Sequence, residues 1–229
     1  MKLSIIIPCF NEEKTIIKII NKITKLNLIN CDKEIIVIDD GSTDKSMELI
    51  KNYNNIIVIY NKKNYGKGYS IKKGIEKATG DILIIQDADL EYDPFDYNLI
   101  LEKFKDNKVS VVYGSRRLKK NNYSSITFYL GGILLTYLVN ILYFKSKNIT
   151  DEPTCYKSFR SSLIKKIPLK SNGFEICPEI TVKLLNLGIE IYEVPISYYP
   201  RSKKEGKKIK WIDGIIAIYT IIKYRFFND

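Results

Sequence analysis

At 229 residues the chain is long enough to bury a sizeable core in one large domain, and 45% hydrophobic with 28% charged residues excludes extended disorder. A formal net charge of +11 suits an anionic partner, whether nucleic acid, a phosphorylated small molecule or an acidic membrane surface, and does not choose among them. The absence of histidine excludes a His-based triad and a Cys/His zinc site.

The four cysteines, Cys9, Cys31, Cys155 and Cys177, are too widely spaced for CxxC pairing. With a first strand that begins at once and no secretory signal, they read as reduced, mostly buried thiols of a cytosolic protein.

In chain order, residues 3–7 are an apolar, β-branched run ended by Pro8, the pattern of a buried parallel strand. Ile16, Ile19, Ile20 and Ile23 at helical spacing predict a helix over 12–26. A second buried strand, 34–38, stops at Asp39-Asp40-Gly41-Ser42, and Ser42 or Thr43 is expected to cap a helix over 44–53. A strand over 55–60, a helix over 66–78 after a Gly-rich turn, and a strand over 81–86 running into Asp87-Ala88-Asp89 follow. A helix over 94–105 and a strand over 109–113 ending in Gly114-Ser115-Arg116-Arg117 complete the alternation. Crossovers of this length imply a mostly parallel, doubly wound sheet, and every polar cluster falls at a strand's C-terminal end, where such sheets bind ligands.

Beyond Arg117 the pattern changes. The stretch 126–144 carries no charge but is diluted by Gly131, Gly132, Thr127, Thr136 and Asn140, which leaves a membrane span, an interfacial helix and a packed core helix as alternatives. Near the end, Ile212, Ile215, Ile216, Tyr219, Ile222 and Phe226 recur at helical spacing, either to pack on the domain or to lie on anionic lipid. Between these segments Arg201, Lys203, Lys204, Lys207, Lys208 and Lys210 stand against Glu205 alone.

The strongest chemical signal is Asp87-Ala88-Asp89. Two Asp residues one position apart point the same way at the end of an extended segment, and such a pair can hold a hard divalent cation that keeps other positions for water and phosphate oxygens. Glu91 is a candidate third oxygen ligand. An isolated Asp-x-Asp is more often a helix cap, but register with other polar strand ends favours the functional reading. Phe10 in Pro8-Cys9-Phe10-Asn11-Glu12 offers an aromatic face for a base, and Asp39 can accept a hydrogen bond from a base or ribose. Asn64-Tyr65-Gly66-Lys67-Gly68 lacks Walker spacing and is expected to close over the nucleotide, while Arg116 and Arg117 suit phosphate oxygens.

Ile7-Pro8-Cys9-Phe10-Asn11-Glu12-Glu13, Asp39-Asp40-Gly41-Ser42-Thr43-Asp44, Asn64-Tyr65-Gly66-Lys67-Gly68, Asp87-Ala88-Asp89-Leu90-Glu91 and Gly114-Ser115-Arg116, in that order, resemble the inverting family-2 glycosyltransferases of GT-A fold. Within them the chain is most similar to the dolichol- and polyprenol-phosphate sugar synthases. The resemblance implies a Rossmann-like α/β fold, a mostly parallel central sheet flanked by helices, with amphipathic helices towards the C-terminus. It divides one continuous catalytic domain into a nucleotide-sugar-binding half, 1–120, and an acceptor-side half, 121–229.

By the same resemblance, Pro8, Phe10, Asn11, Glu12, Asp39, Asp40, Lys67, Gly68 and Ala88 line the nucleotide-sugar site. Asp87 and Asp89, with Glu91, hold Mg²⁺ or Mn²⁺, and Arg116 joins the two aspartates in catalysis. Arg117, Arg201, Lys207 and Lys208 meet the acceptor phosphate. The implied donor is a GDP- or UDP-sugar and the implied acceptor polyprenyl or dolichyl phosphate, used at the cytoplasmic face of a membrane by a peripheral enzyme, with a membrane-protein partner and no nucleic acid.

Thr150-Asp151-Glu152-Pro153-Thr154-Cys155 departs from the family's usual Asp followed by Ser-Gly-Phe. Glu175 and Glu179 are read as facing either the basic run or the acceptor. Transfer to a sugar hydroxyl in glycan assembly, and a non-enzymatic module binding lipid phosphate or nucleic acid, stand as alternatives.

Overall fold

The computed structural model describes residues 1–123, 125–144, 149–202 and 206–227. In chain order it forms β1 (Lys2–Cys9), α1 (Ile16–Lys25), β2 (Asp32–Asp39), α2 (Ser46–Lys51), β3 (Ile57–Tyr60), α3 (Lys67–Lys77), β4 (Ile82–Ile85) and α4 (Tyr97–Lys103). Then come β5 (Val111–Ser115), α5 (Ile126–Leu142), β6 (Lys157–Arg160), α6 (Ser161–Ile164), α7 (Ile176–Asn186), β7 (Tyr192–Pro195) and α8 (Trp211–Phe226). The strands make one seven-stranded sheet in the order β3-β2-β1-β4-β6-β5-β7. Only β6 runs antiparallel to its neighbours.

Alternation along the strands sends side chains to two cores. Leu3, Ile5 and Ile7 pack with α1 and α4 on one face, through Ile16, Ile19, Ile20, Tyr97 and Ile100. Ile6, Ile36 and Ile38 pack on the other with α3, α5, α7 and α8. Each fully buried isoleucine contributes about 1.5–3 kcal/mol of transfer free energy, so the isoleucine-rich strands drive the layering.

Two local expectations are corrected. Pro8 does not end β1, which continues to Cys9 beside Asp39. Even-numbered residues of β1 turn their backbone groups towards β4, but β4 stops opposite Ile6, so the N–H that Pro8 lacks falls where no strand runs. Helix α1 begins four residues after Glu12, because Glu12–Lys14 make a turn whose Glu12 carbonyl accepts from Thr15 and Ile16 N–H.

Helix α5 buries only Leu135, Thr136 and Val139 and leaves Ile126, Leu130, Leu134, Tyr137 and Ile141 exposed. Its 17 residues span about 26 Å, and among the described residues no helix is long and apolar enough to cross a membrane. Helix α8 packs on the domain beside α5 and α7, but through the face opposite to the one expected. Ile212, Ile215, Ile216, Tyr219, Ile222 and Phe226 are all exposed, and Ala217, Thr220, Ile221 and Tyr224 face the core instead.

Candidate active site

The loops after β1, β2 and β4 meet above the sheet. Asn11 adopts a left-handed φ of 51°, and its side-chain oxygen accepts from Thr43 N–H at 2.8 Å, tying the first loop to the second. Ser42, expected as a helix cap, instead accepts from Asn11 N–H, and Asp44 accepts from Ser46 N–H at the start of α2. Asp39 is 1% exposed; its Oδ2 accepts from Ser42 N–H, while Oδ1 has no hydrogen-bond partner among the described residues. A buried acceptor left over beside Phe10 is what a donor N–H or hydroxyl of a bound base or ribose would satisfy.

Asp40 turns away from this pocket. Its oxygens accept from Asn61 Nδ2, Tyr65 N–H and Gly66 N–H, which fixes the turn leading into α3. Gly66 holds φ at 106°, and a Cβ there would meet Asn172 O at 2.3 Å. Gly68 N–H donates to Gly173 O and Tyr69 N–H to Asn172 O. The glycines thus let α3 press against residues 171–173, and these backbone donors are used there, not on a phosphate. Ala88 is buried in the core.

This packing aims Lys67 at the acidic pair: its Nζ lies 2.5 Å from Asp87 Oδ1. Burial opposes charge on Lys67, but the Asp87 carboxylate reverses the balance and holds its pKa well above the ordinary value. Leu90 takes a left-handed φ of 65°, a strained conformation for a branched residue, and lets Asp89 Oδ1 accept from Glu91 N–H at 3.0 Å.

An isolated bridge pairs Tyr92 with Tyr198, and Tyr199 N–H donates to Glu91 O, so residues 198–201 run beside the acidic turn. That pairing delivers Arg201 into it. The guanidinium donates to Glu12 at 2.9 and 3.1 Å and to Asp89 Oδ2 at 3.0 Å. Lys208 reaches Glu12 at 2.5 Å and Lys207 approaches Glu91 at 3.7 Å. Burial, and then the neighbouring Asp87 and Glu91, push the Asp89 carboxyl up to about 7 against the opposing pull of Arg201.

Glu91 is not presented as a third ligand. Both its oxygens are engaged, by Tyr198 OH at 3.0 Å and Arg201 N–H at 2.8 Å, and it anchors the 198–201 segment. Among the described residues no group of three or more acidic or cysteine ligands is assembled. The crowded, oxygen-only pair Asp87 and Asp89 still fits Mg²⁺ or Mn²⁺, which commonly take one or two carboxylates and complete their shell with water and phosphate.

Arg116 is committed elsewhere. Its Nε and Nη2 donate to the fully buried Asp151 at 2.7 Å each, its own N–H adds a third bond, and its guanidinium stacks over Tyr198. Arg116 therefore braces the site through Asp151 and Tyr198. Neither partner was part of the sequence-based site, because both come from distant segments. Arg117 donates to Thr150 O at 3.0 Å and borders a groove of about 1020 Å³ between the N-terminal parts of α5 and α8. Six cations line that groove, Arg116, Arg117, Arg201, Lys207, Lys208 and Lys210, with no acidic side chain among the described lining residues. Phe128, Leu135 and Trp211 supply apolar wall.

Glu179 accepts from Lys170 and Ser171 N–H and pairs with Lys183, and Glu175 accepts from Asn172 and Gly173 N–H. Both carboxylates therefore shape the loop under α3. Lys203, Lys204 and Glu205 lie outside the described residues.

An acidic pair closing a strand of a mostly parallel, Rossmann-like sheet is the framework of GT-A glycosyltransferases. The chain belongs to glycosyl transferase family 2, whose sequence profile matches residues 4–168. It is 29% identical to a dolichol-phosphate mannosyltransferase of Pyrococcus furiosus over 98% of its own length, and spans 64% of that protein. It is 30% identical to a dolichyl-phosphate beta-glucosyltransferase of Trichomonas vaginalis, covering 99% of this chain and 73% of the other. The fold matches glucosyl-3-phosphoglycerate synthase from Mycobacterium tuberculosis, solved with Mn²⁺, UDP and glucosyl-3-phosphoglycerate. The TM-score is 0.77 at 18% identity, over 100% of this chain and 81% of that one.

Proposed function

We propose that the chain transfers a sugar, with inversion, from a nucleoside diphosphate sugar to a polyprenyl or dolichyl phosphate, using Mg²⁺ or Mn²⁺. The observation that carries this reading is the groove beside the acidic pair: six cations, four of which also pair with Asp151, Glu12, Asp89 or Glu91 behind the lining, and apolar walls. That combination suits an anionic head joined to a hydrocarbon tail better than a neutral saccharide. The named activities of the two relatives support the same acceptor class.

In this reading Asp39 receives a donor group of the base or ribose against Phe10. Asp87 and Asp89 hold the cation, which when bound offsets charge on the departing nucleoside diphosphate. Lys67 fixes Asp87, and Arg117, Lys207 and Lys208 hold the acceptor phosphate. Such a phosphate, with a second pKa near about 6, is already anionic at neutral pH, so its oxygen needs no general base in a chain that has no histidine. The exposed apolar faces of α5 and α8 rest on the lipid that carries the acceptor, with Lys210, Lys223 and Arg225 near anionic headgroups.

Incubation with radiolabelled sugar nucleotides, polyprenyl phosphate and Mn²⁺ tests the proposal, with label expected in the organic extract. No extractable label from any common donor sinks it. Label confined to added oligosaccharides would move the acceptor to a sugar hydroxyl.

A further inference from the structure

Behind Lys67 lie two thiols that the transfer reaction does not use. Cys155 stands on the segment entering β6, half-buried, and Cys177 is the second residue of α7, buried. Their sulfurs are 3.9 Å apart, and Lys67 Nζ lies 3.1 Å from Cys155 Sγ while it also holds Asp87. Among the described residues the remaining cysteines have no second sulfur in contact: Cys9 is the buried last residue of β1, and Cys31 lies by the Asp32 carbonyl at the edge of the core.

At this separation the sulfurs are in hydrogen-bond contact, which lowers the pKa of Cys177 and raises that of Cys155, and the positive charges of Lys67 and Lys157 further favour ionisation of Cys177. Cationic surroundings favour the reactive form of a thiol, and Cys155, the half-buried member, is the one nearer the surface. A second sulfur already in contact is the condition under which the product becomes a disulfide and is not over-oxidised.

We propose that Cys155 and Cys177 form an oxidisable dithiol that senses peroxides and sets the metal affinity of the neighbouring aspartate pair. The thiolate attacks one peroxide oxygen, the O–O bond breaks, and the departing oxygen takes up the proton that the thiol gave up, so that a sulfenic acid and water (or an alcohol) result. The second thiol then attacks the sulfenic sulfur, the S–O bond breaks, water leaves, and an S–S bond forms. Two thiols are oxidised and one peroxide is reduced.

Closing 3.9 Å to a bond of about 2 Å draws Cys155 Sγ towards α7. Lys67 then loses its sulfur partner and any thiolate counter-charge, so its ammonium, still over the Phe174 ring, leans more on Asp87 and competes more strongly with a cation there. Outer-shell partners of metal sites typically contribute about 10–100-fold in affinity. The lower end is expected here, because Lys67 stays attached throughout.

The cross-link stands independently of the transferase reading, whereas the change in affinity rests on Asp87 being a metal ligand. The full chain is treated with hydrogen peroxide, then thiol-titrated, peptide-mapped, and melted across a Mn²⁺ series in the presence of UDP or GDP. Free thiols should fall from four to two, with one linked peptide pair containing Cys155 and Cys177 that dithiothreitol releases. The Mn²⁺ concentration giving half the thermal shift should rise about tenfold and return on reduction. In Cys177→Ser the linked pair should be absent and the half-point unmoved by peroxide. Four free thiols after treatment, a bond to Cys9 or Cys31, or only over-oxidised Cys155 would overturn the dithiol. A mapped cross-link with no change in the Mn²⁺ half-point would overturn its coupling to the aspartates, without touching the transferase reading.

Discussion

Replacing Arg201 with glutamine removes the guanidinium that lies among Glu12, Asp89 and Glu91 and leaves a shorter, neutral polar side chain. Arg201 is 14% exposed and its three partners between 8% and 16%, so the carboxylates are left facing one another with little water between them. Breaking a buried pair by removing one member costs about 3–5 kcal/mol. Lys208 remains on Glu12 and Lys207 near Glu91, which lowers the expected loss to about 2–3 kcal/mol. For a chain of this length that corresponds to a fall in Tm of about 5–10 °C.

A divalent cation should reverse the fall, because it enters the space the guanidinium has left. At about 100 times its Kd, a ligand adds about 2.7 kcal/mol, enough to restore the wild-type melting point. Differential scanning fluorimetry with and without Mn²⁺, in the absence of nucleotide, reads both effects. An equal Mn²⁺ gain in wild type and Arg201→Gln would refute the argument that this side chain holds the place of a cation.

Asp87→Asn and Asp89→Asn should each lower metal-dependent transfer by at least about 100-fold, as expected when several kcal/mol of charge stabilisation disappears, in chains that still fold; activity above a tenth of wild type in both rejects the assignment. Trp211→Asp with Tyr219→Asp should weaken co-sedimentation with vesicles containing phosphatidylserine, since both side chains are exposed on α8, and unaltered sedimentation removes α8 from the membrane reading. Glu34 joins β1, β2 and the end of α3: burial opposes its charge, but hydrogen bonds from Ser4, Thr79 and Lys2 outweigh this and hold its pKa at about 2, below the ordinary 4.5. The linked stability, about 3 kcal/mol, is present above pH 4.5 and lost as pH falls through 2, so urea midpoints of wild type and Glu34→Gln should converge in acid; a constant gap would show that the charge is not the cause.

The first five strands were legible because each is an apolar run closed by polar strand-end residues, a pattern that needs no partner to be recognised. Strand β6 was not. Lys157-Ser158-Phe159-Arg160 reads as surface, yet Lys157 is fully buried, donating to Glu152 O and Thr181 Oγ1 and lying over the Tyr113 ring. Helix α7 was obscured by Pro178, which its first turn tolerates because the missing N–H has no helical partner there. Strand β7 was hidden by Glu193 and Pro195.

The acidic pair stood out as charge at the end of an apolar run, although Asp87 and Asp89 lie in a turn beyond β4 and not on the extended segment that a period of two requires, and what surrounds it had no such signal. Arg201 reaches Asp89 only because residues 198–201 run beside Glu91 and Tyr92, a pairing with no local signature. The same holds for Asp151, whose bond to Arg116 turned an expected phosphate ligand into a brace.

The outward sides of α5 and α8 also bear on how the isolated chain behaves in plain buffer. Tyr137 and Trp211 are 63% and 75% exposed, and the leucines, isoleucines and phenylalanines around them are wetted as well. A continuous oily strip of this kind drives copies to stick to one another or to vessel walls. Mild detergent micelles or nanodiscs are therefore the setting in which the purified chain should stay monodisperse, and light scattering in their absence should show particles growing with concentration.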